Sequence, residues 1–295
     1  MTGALGTAAG LMPLLGAGGA LAAGTYALGL WREVTRPPRR GMAWALAQGL
    51  PTSPGDLGFE FRERQDRLGG TDIPSWWVRG RDPGSRRAVI LLHGHGRSRW
   101  DSLARLEAAA AQAELVVLPD LRGHGDAGGR STVGRQEPAD VAALAGLVEA
   151  ERPGIALDLA GHSMGGVVAI HAACLRAAVG APVRNVIAWA PYERMQTPFE
   201  ARLRLRGLPA RPFAVAICRV LDLADGAQRP TSAAAAALGG AALELHADEL
   251  DPVSPLAEAR TIAAACPGAA LRITSGVPHA DAGKGRVGVT SPAAA

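Results

Sequence analysis

Hydrophobic residues form eight short runs between positions 59 and 276, separated by stretches that mix apolar and polar residues. The run AVILLHG at 88–94 is continuously apolar, which is typical of a strand buried on both faces of a sheet. The other predicted strands cover 59–64, 74–80, 115–120, 155–163, 185–191, 242–248 and 270–276. Helical patterns lie between most of them, for example at 138–150 and 167–178. The alternation predicts an α/β fold with a mostly parallel eight-stranded sheet flanked by helices.

The amino-terminal segment departs from this pattern, because no charged side chain occurs between Thr2 and Trp31. About 20 apolar residues are enough to cross a bilayer as a helix. Four arginines follow between positions 32 and 40, and basic residues favour the cytoplasmic side of a membrane. We therefore predict a membrane anchor over 1–31 with the rest of the protein in the cytoplasm. The alternative is a signal peptide cleaved near Ala22, followed by export.

Three further units are predicted after the anchor. Residues 32–57 are rich in proline and glycine and form a linker with a short helix at 42–50. Residues 58–295 form the main domain. Within it, 191–240 lies between the sixth and seventh strands and carries apolar and arginine positions, which predicts a small helical cap. Its arginines at 202, 204 and 206 are either a solvated face or a site for an anionic substrate or lipid head group.

Charge and cysteine content exclude several classes of function. The formal net charge is +4, but the arginines are spread along the chain and form no basic stripe with interleaved aromatics, which argues against a nucleic-acid partner. Cys174, Cys218 and Cys266 are isolated and form no CxxC pair. Neither a disulfide framework nor a metal site is therefore indicated, and we predict no cofactor.

The segment GHSMG at 161–165 places a serine between two glycines where a buried strand ends and a helix begins. A nucleophilic serine at such a point needs a tight turn, and Gly161 and Gly165 remove side chains that would clash there. The amino terminus of the following helix directs N–H groups to the place where negative charge develops. Ser163 is therefore the predicted nucleophile of an acyl transfer.

A serine needs a base and an orienting carboxylate. His279 follows the last predicted strand, in a loop at the carboxyl edge of the sheet, and is the predicted base. The loop after the preceding strand offers Asp251, which Pro252 fixes, with Asp248 as the alternative acid. The order serine, aspartate, histidine is that of the acyl hydrolases.

Four motifs in this order resemble the α/β-hydrolase superfamily, in the lineage of the serine esterases and lipases. They are LLHGHG at 91–96, PDLRGHGDAGG at 119–129, GHSMGG at 161–166, and the pair DPVSP at 251–255 and PHAD at 278–281. The resemblance implies that the N–H groups of His95 and Met164 form the oxyanion hole. His162 beside the serine is a candidate substrate contact. So are Trp100 and Trp189 near predicted strand ends, for which core packing is the alternative.

These features predict a serine hydrolase that cleaves an ester or related acyl bond of a small molecule or a lipid. One departure leaves a second hypothesis open. After position 281 the sequence lacks helical periodicity, where members of the superfamily usually end with a helix. The alternative is a membrane-tethered binding protein that kept the α/β-hydrolase fold without turnover.

Overall fold

The computed structural model describes residues 24–284 of the 295-residue chain. Most of the predicted anchor, residues 1–23, lies outside the described residues, and so does the carboxyl-terminal segment 285–295. Within 24–284, none of the helices combines the length and the hydrophobicity that a bilayer span requires.

Eight strands form one sheet in the order β1-β2-β4-β3-β5-β6-β7-β8. Their bounds are Phe61–Leu68 (β1), Thr71–Arg79 (β2), Arg87–Leu92 (β3), Leu115–Pro119 (β4), Ala156–His162 (β5), Asn185–Trp189 (β6), Ala242–Asp248 (β7) and Ala270–Thr274 (β8). β2 pairs antiparallel with β1 and β4, and the remaining pairs are parallel. The predicted fold class is therefore confirmed.

Helices cover the sheet and the carboxyl ends of its strands. A helix over 24–35 (α1) opens the described chain. The others are Met42–Ala47 (α2), Arg99–Ser102 (α3), Leu106–Ala110 (α4), Glu137–Glu151 (α5), Met164–Ala178 (α6), Gln196–Leu205 (α7), Arg211–Asp225 (α8), Thr231–Ala235 (α9) and Leu256–Ala265 (α10). Helices α7, α8 and α9 lie between β6 and β7, in the region where the sequence predicts a cap.

Two hydrophobic clusters lie on opposite faces of the sheet, because successive side chains of a strand point to opposite sides. In β3, Ile90 joins the larger cluster with helices α5 to α9. Leu91 joins the smaller cluster with α4 and several tryptophans. Both side chains are fully buried, so β3 is covered on both faces, as its apolar run predicts.

The segment from α1 to residue 57 packs on the rest of the protein. Leu30 and Val34 of α1 are buried in the larger cluster. The Val34 carbonyl oxygen lies 2.8 Å from Nε2 of His95. Arg40 forms an ion pair of 2.8 Å with Asp101. The described end of the predicted anchor therefore contacts the loop that follows β3, and the predicted linker contacts helix α3.

Candidate active site

Ser163 occupies the tight turn between β5 and α6. Its backbone has φ 53° and ψ −118°, in a region that residues other than glycine rarely adopt. The Ser163 N–H donates to the carbonyl of Trp189 at 2.7 Å. Its own carbonyl accepts from the N–H groups of Gly166 and Val167, at 3.0 and 3.1 Å. The helix therefore begins at Met164, directly after the serine and three residues before the predicted helix over 167–178.

The two flanking glycines allow main-chain segments to approach closely. A Cβ added to Gly161 would lie 2.3 Å from the carbonyl of Gly165. A Cβ added to Gly165 would lie 2.5 Å from the carbonyl oxygen of His93 in the loop after β3. Because each contact is with backbone, no side-chain movement could relieve it. The glycines are thus required by packing as well as by the turn.

The structure brings together the three residues of the predicted triad. Nε2 of His279 lies 3.0 Å from Oγ of Ser163, and Nδ1 lies 2.6 Å from Oδ2 of Asp251. Oδ1 of Asp251 accepts the N–H groups of Val253 and Ser254, at 2.8 and 3.1 Å. The Asp251 carboxylate is buried, so this arrangement holds it in one orientation with one oxygen aimed at the imidazole.

Asp248, the alternative acid, has different partners. Its carboxylate accepts the N–H groups of Leu250, Gly276 and Val277, at 2.9, 3.1 and 2.8 Å. The Thr274 hydroxyl donates to it at 2.9 Å. Burial acts to raise the pKa of this carboxyl, but the hydrogen bonds, led by that from Val277, hold the pKa below its ordinary value. Asp248 therefore fixes the loop between β8 and His279 instead of contacting the imidazole.

Two other side chains hold the backbone around the base. Nε2 of His162 lies 2.6 Å from the carbonyl oxygen of His279. Burial, with the nearby Arg105 and His279, lowers the pKa of His162 well below its ordinary value, so the ring is neutral and donates through Nε2. The Arg105 guanidinium donates to the carbonyl of Ala282 at 3.2 Å. The structure thus places His162 against the base loop, and no sequence signal singled out Arg105.

The predicted oxyanion donors flank the serine. Met164 follows it in the chain. A Cβ added to Gly94, the residue before His95, would lie 3.5 Å from Cβ of Ser163, so the loop after β3 packs on the turn. No carbonyl within 24–284 accepts a hydrogen bond from the N–H of His95 or Met164. Burial, His124 and Arg202 lower the pKa of the His95 ring to about 3, so the ring is neutral.

The remaining predicted contacts lie in the core. Trp100 and Trp189 are 3% and 0% exposed and belong to the smaller hydrophobic cluster. The Trp100 indole packs edge-on against Trp76, with 5.1 Å between ring centroids, and donates to the Thr52 carbonyl at 2.8 Å. The prediction that these tryptophans contact the substrate is corrected to core packing, because both rings lie on a covered face of the sheet.

The model of the "Alpha/beta hydrolase family" matches residues 89–284, which is more than half of the chain. The chain belongs to this family. An esterase of Pyrococcus furiosus, Pf2001, is similar in structure, with a TM-score of 0.65, 22% identity, and coverage of 84% of this chain and 90% of that one. An esterase of Thermogutta terrifontis has a TM-score of 0.54 and 19% identity over 76% and 93% of the two chains.

A serine hydrolase involved in carbazole degradation has a TM-score of 0.55 and 14% identity over 77% and 94% of the two chains. At these identities the likeness establishes the fold, and the predicted resemblance to the family is confirmed by the matching model. Within residues 24–284, no group of three histidine, cysteine or acidic side chains is arranged to hold a metal ion.

Proposed function

We propose that the protein is a serine hydrolase that cleaves a carboxylic ester through an acyl-enzyme. The observation that carries this proposal is the pair of hydrogen bonds made by His279, 3.0 Å to the Ser163 hydroxyl and 2.6 Å to the Asp251 carboxylate. Similar structures include two named esterases, which supports an ester as the substrate class.

The reaction follows from these contacts. Nε2 of His279 takes the proton of the Ser163 hydroxyl as its oxygen attacks the ester carbonyl carbon. Asp251 keeps the imidazole in the tautomer whose Nδ1 carries the proton, and it stabilises the imidazolium that forms. His279 then protonates the leaving alcohol, so the ester bond breaks and Ser163 carries the acyl group. Water, activated by His279, releases the acid and restores the serine.

The N–H groups of His95 and Met164 are the proposed oxyanion donors. Negative charge develops on the carbonyl oxygen in the transition state, and an N–H at the start of α6 is directed toward it. Loss of one such donor costs on the order of 10² to 10³ in kcat in serine hydrolases.

The experiment pairs a fluorophosphonate probe with 4-nitrophenyl butyrate. The wild-type protein should be labelled at Ser163 and should release 4-nitrophenol, whereas Ser163→Ala should do neither while its circular dichroism stays the same. A wild-type protein that folds but is neither labelled nor active would favour the alternative, a binding protein without turnover. Equal activity in Ser163→Ala would exclude the proposed mechanism.

A membrane location is a separate proposal that rests on the uncharged run 1–31. If this run anchors the protein with its main domain in the cytoplasm, the full chain should stay with membranes after carbonate extraction. A mature mass lacking about 22 residues would instead indicate cleavage and export.

A further inference from the structure

A cavity of about 340 Å³ lies beside the loop after β3 and is lined by α1, by the proline-rich segment after it, and by helices α7 and α8. One part of its wall is apolar and is formed by Leu30, Val34, Phe199, Leu203 and Ile217. The other part is basic and is formed by Arg40, Arg97, Arg202 and Arg206, with Glu33 as the acidic residue. The volume lies at the lower end of the range for small-molecule sites.

Most of these arginines have carboxylate partners. Arg206 pairs with Glu33 at 2.8 Å. Arg40 and Arg97 share one carboxylate, that of Asp101, at 2.8 and 3.0 Å. The cavity therefore has more positive than negative charge even after its ion pairs are counted.

Arg202 has a neutral partner instead. No carboxylate within 24–284 lies at ion-pair distance from its guanidinium, and Nη1 is 3.5 Å from Nδ1 of His95. By contrast, the buried Arg87 and Arg99 each pair with a buried aspartate, Asp158 and Asp120. A half-buried cation without a counter-ion is costly, so an anion that entered this cavity would be stabilised.

The cavity adjoins the candidate active site through two residues. The ring of His95 lines the cavity, and its backbone N–H is a proposed oxyanion donor. Arg97 also lines the cavity, and its charge contributes, after burial, Arg105 and His279, to the lowered pKa of His162 beside the base. A ligand that extends from Ser163 past His95 would therefore meet the arginines.

We propose that the substrate is an acyl ester that also carries an anionic group, a carboxylate or a phosphate. Arg202 and Arg97 bind this group while the ester carbonyl lies at Ser163. The apolar wall accommodates the few methylene groups between them, and the guanidinium of Arg202 supplies charge-assisted hydrogen bonds. The inference rests on the proposed hydrolase function and specifies its substrate class.

The test uses two substrates that differ in one charge, 4-nitrophenyl hydrogen glutarate and its methyl ester. The wild-type protein should have a kcat/KM about 10 to 100 times higher for the free carboxylate, the ratio expected for a hydrogen bond to a charged group. Free glutarate should inhibit hydrolysis of the methyl ester competitively. Added NaCl should lower the preference, because the arginines are partly exposed.

Two variants of α7 distinguish an effect of the cavity from a general effect of positive charge on this helix. Arg202→Gln should lower the preference for the carboxylate to about one- to threefold and weaken inhibition by glutarate about tenfold or more. Arg204→Gln is the matched control, because Arg204 is exposed, pairs with Glu200 and does not line the cavity. It should keep the wild-type ratio.

The outcomes distinguish the two proposals. If both esters are hydrolysed equally by the wild-type protein and glutarate does not inhibit, the anion site is excluded while the hydrolase function stands. If neither ester is hydrolysed and no probe labels Ser163, the hydrolase function itself fails. If vesicles of phosphatidylglycerol inhibit and glutarate does not, the arginines bind a membrane surface, which overturns the proposal for a substrate anion. These outcomes are all measured on the wild-type protein, so none of them depends on whether a variant folds.

Discussion

Ser163 and His279 are joined by one hydrogen bond, but the protein holds them by different means. Ser163 follows β5, which is inside the sheet, and precedes α6, most of whose residues are buried. His279 follows β8, an edge strand whose Ile273 is 43% exposed. Packing of backbone on backbone fixes the serine, whereas side-chain hydrogen bonds fix the base.

The difference has a physical consequence. A close-packed turn has no room for added side-chain atoms, so a substituent that does not fit lowers the stability of the whole fold. A loop held by several polar contacts can shift when one of them is lost, without unfolding the protein. Substitutions of the glycines that flank Ser163 should therefore change stability, and substitutions that loosen the base loop should change turnover.

The largest effect should come from Asp251→Asn, which breaks the contact that orients the base. The amide favours the wrong tautomer of His279, and kcat should fall on the order of 10⁴-fold. Steady-state kinetics with 4-nitrophenyl butyrate measure the loss, and thermal unfolding serves as the control for folding. A loss smaller than tenfold would remove Asp251 from the proposed mechanism.

Gly165→Ala tests the serine side. The added Cβ would lie 2.5 Å from the His93 carbonyl oxygen and 2.6 Å from that of Leu92, so the turn cannot accept it without backbone movement. The free energy of unfolding should fall by about 3 kcal/mol or more. Urea denaturation measures this, with Gly146→Ala as a control, because a Cβ at Gly146 meets no atom within 4 Å. Equal stability of the two variants would contradict the packing argument.

Asp248→Ala tests the base side without touching the imidazole. It removes the acceptor of four hydrogen bonds, two of which come from N–H groups in the loop before His279, and a misplacement of about 1 Å can cost on the order of 10² in kcat. We expect such a loss of kcat with KM changed less. Asp248→Asn should recover part of it by keeping one acceptor. A variant that lost stability but kept kcat would show that Asp248 does not position the base.

Acid should lower the free energy of unfolding through His171 of α6, the helix that follows Ser163. Burial, with Arg229, lowers the pKa of His171 to about 4, from an ordinary value of 6.5. The unfolded chain therefore binds a proton between these two values and the folded chain does not, so the contribution is complete at neutral pH and is lost as pH falls. The His171 contribution should decrease by about 2 kcal/mol between about pH 8 and pH 5. Urea titrations of the wild-type protein and His171→Gln measure it, and parallel pH curves would refute it.

The sequence predicted the central strands well, because strands buried on both faces, such as β3, have continuous apolar runs. It placed the largely exposed edge strand β1 at 59–64, whereas the strand runs from Phe61 to Leu68, because β1 lacks such a run. It also predicted the serine turn, whose glycines are close in the chain. It left Asp251 and Asp248 as alternatives, since both follow β7 and only the fold decides which carboxylate meets the imidazole. The prediction that Trp100 contacts the substrate rested on its position near a strand end. Position in the sequence does not tell on which face of the sheet a side chain is buried.

Arg105 was missed for a different reason. Its contact with the Ala282 carbonyl joins residues 177 positions apart, and a single arginine after a short helix carries no motif. The same holds for the contact between Val34 and His95, which are 61 positions apart. Contacts that position a site from a distance depend on how elements pack, and local patterns do not record them.

The hydrogen bond from His95 to the Val34 carbonyl matters for how the protein is attached to a surface. Val34 belongs to α1, so a resin or fusion partner that pulls on the amino end loads the helix that supports the loop after β3. The edge strand β1, which pairs with β2, offers a better anchoring point. A cysteine introduced at Arg67, an exposed residue of β1, would carry the load without straining that loop. Immobilised by thiol chemistry there, the protein should retain more of its turnover than when it is held through its amino terminus.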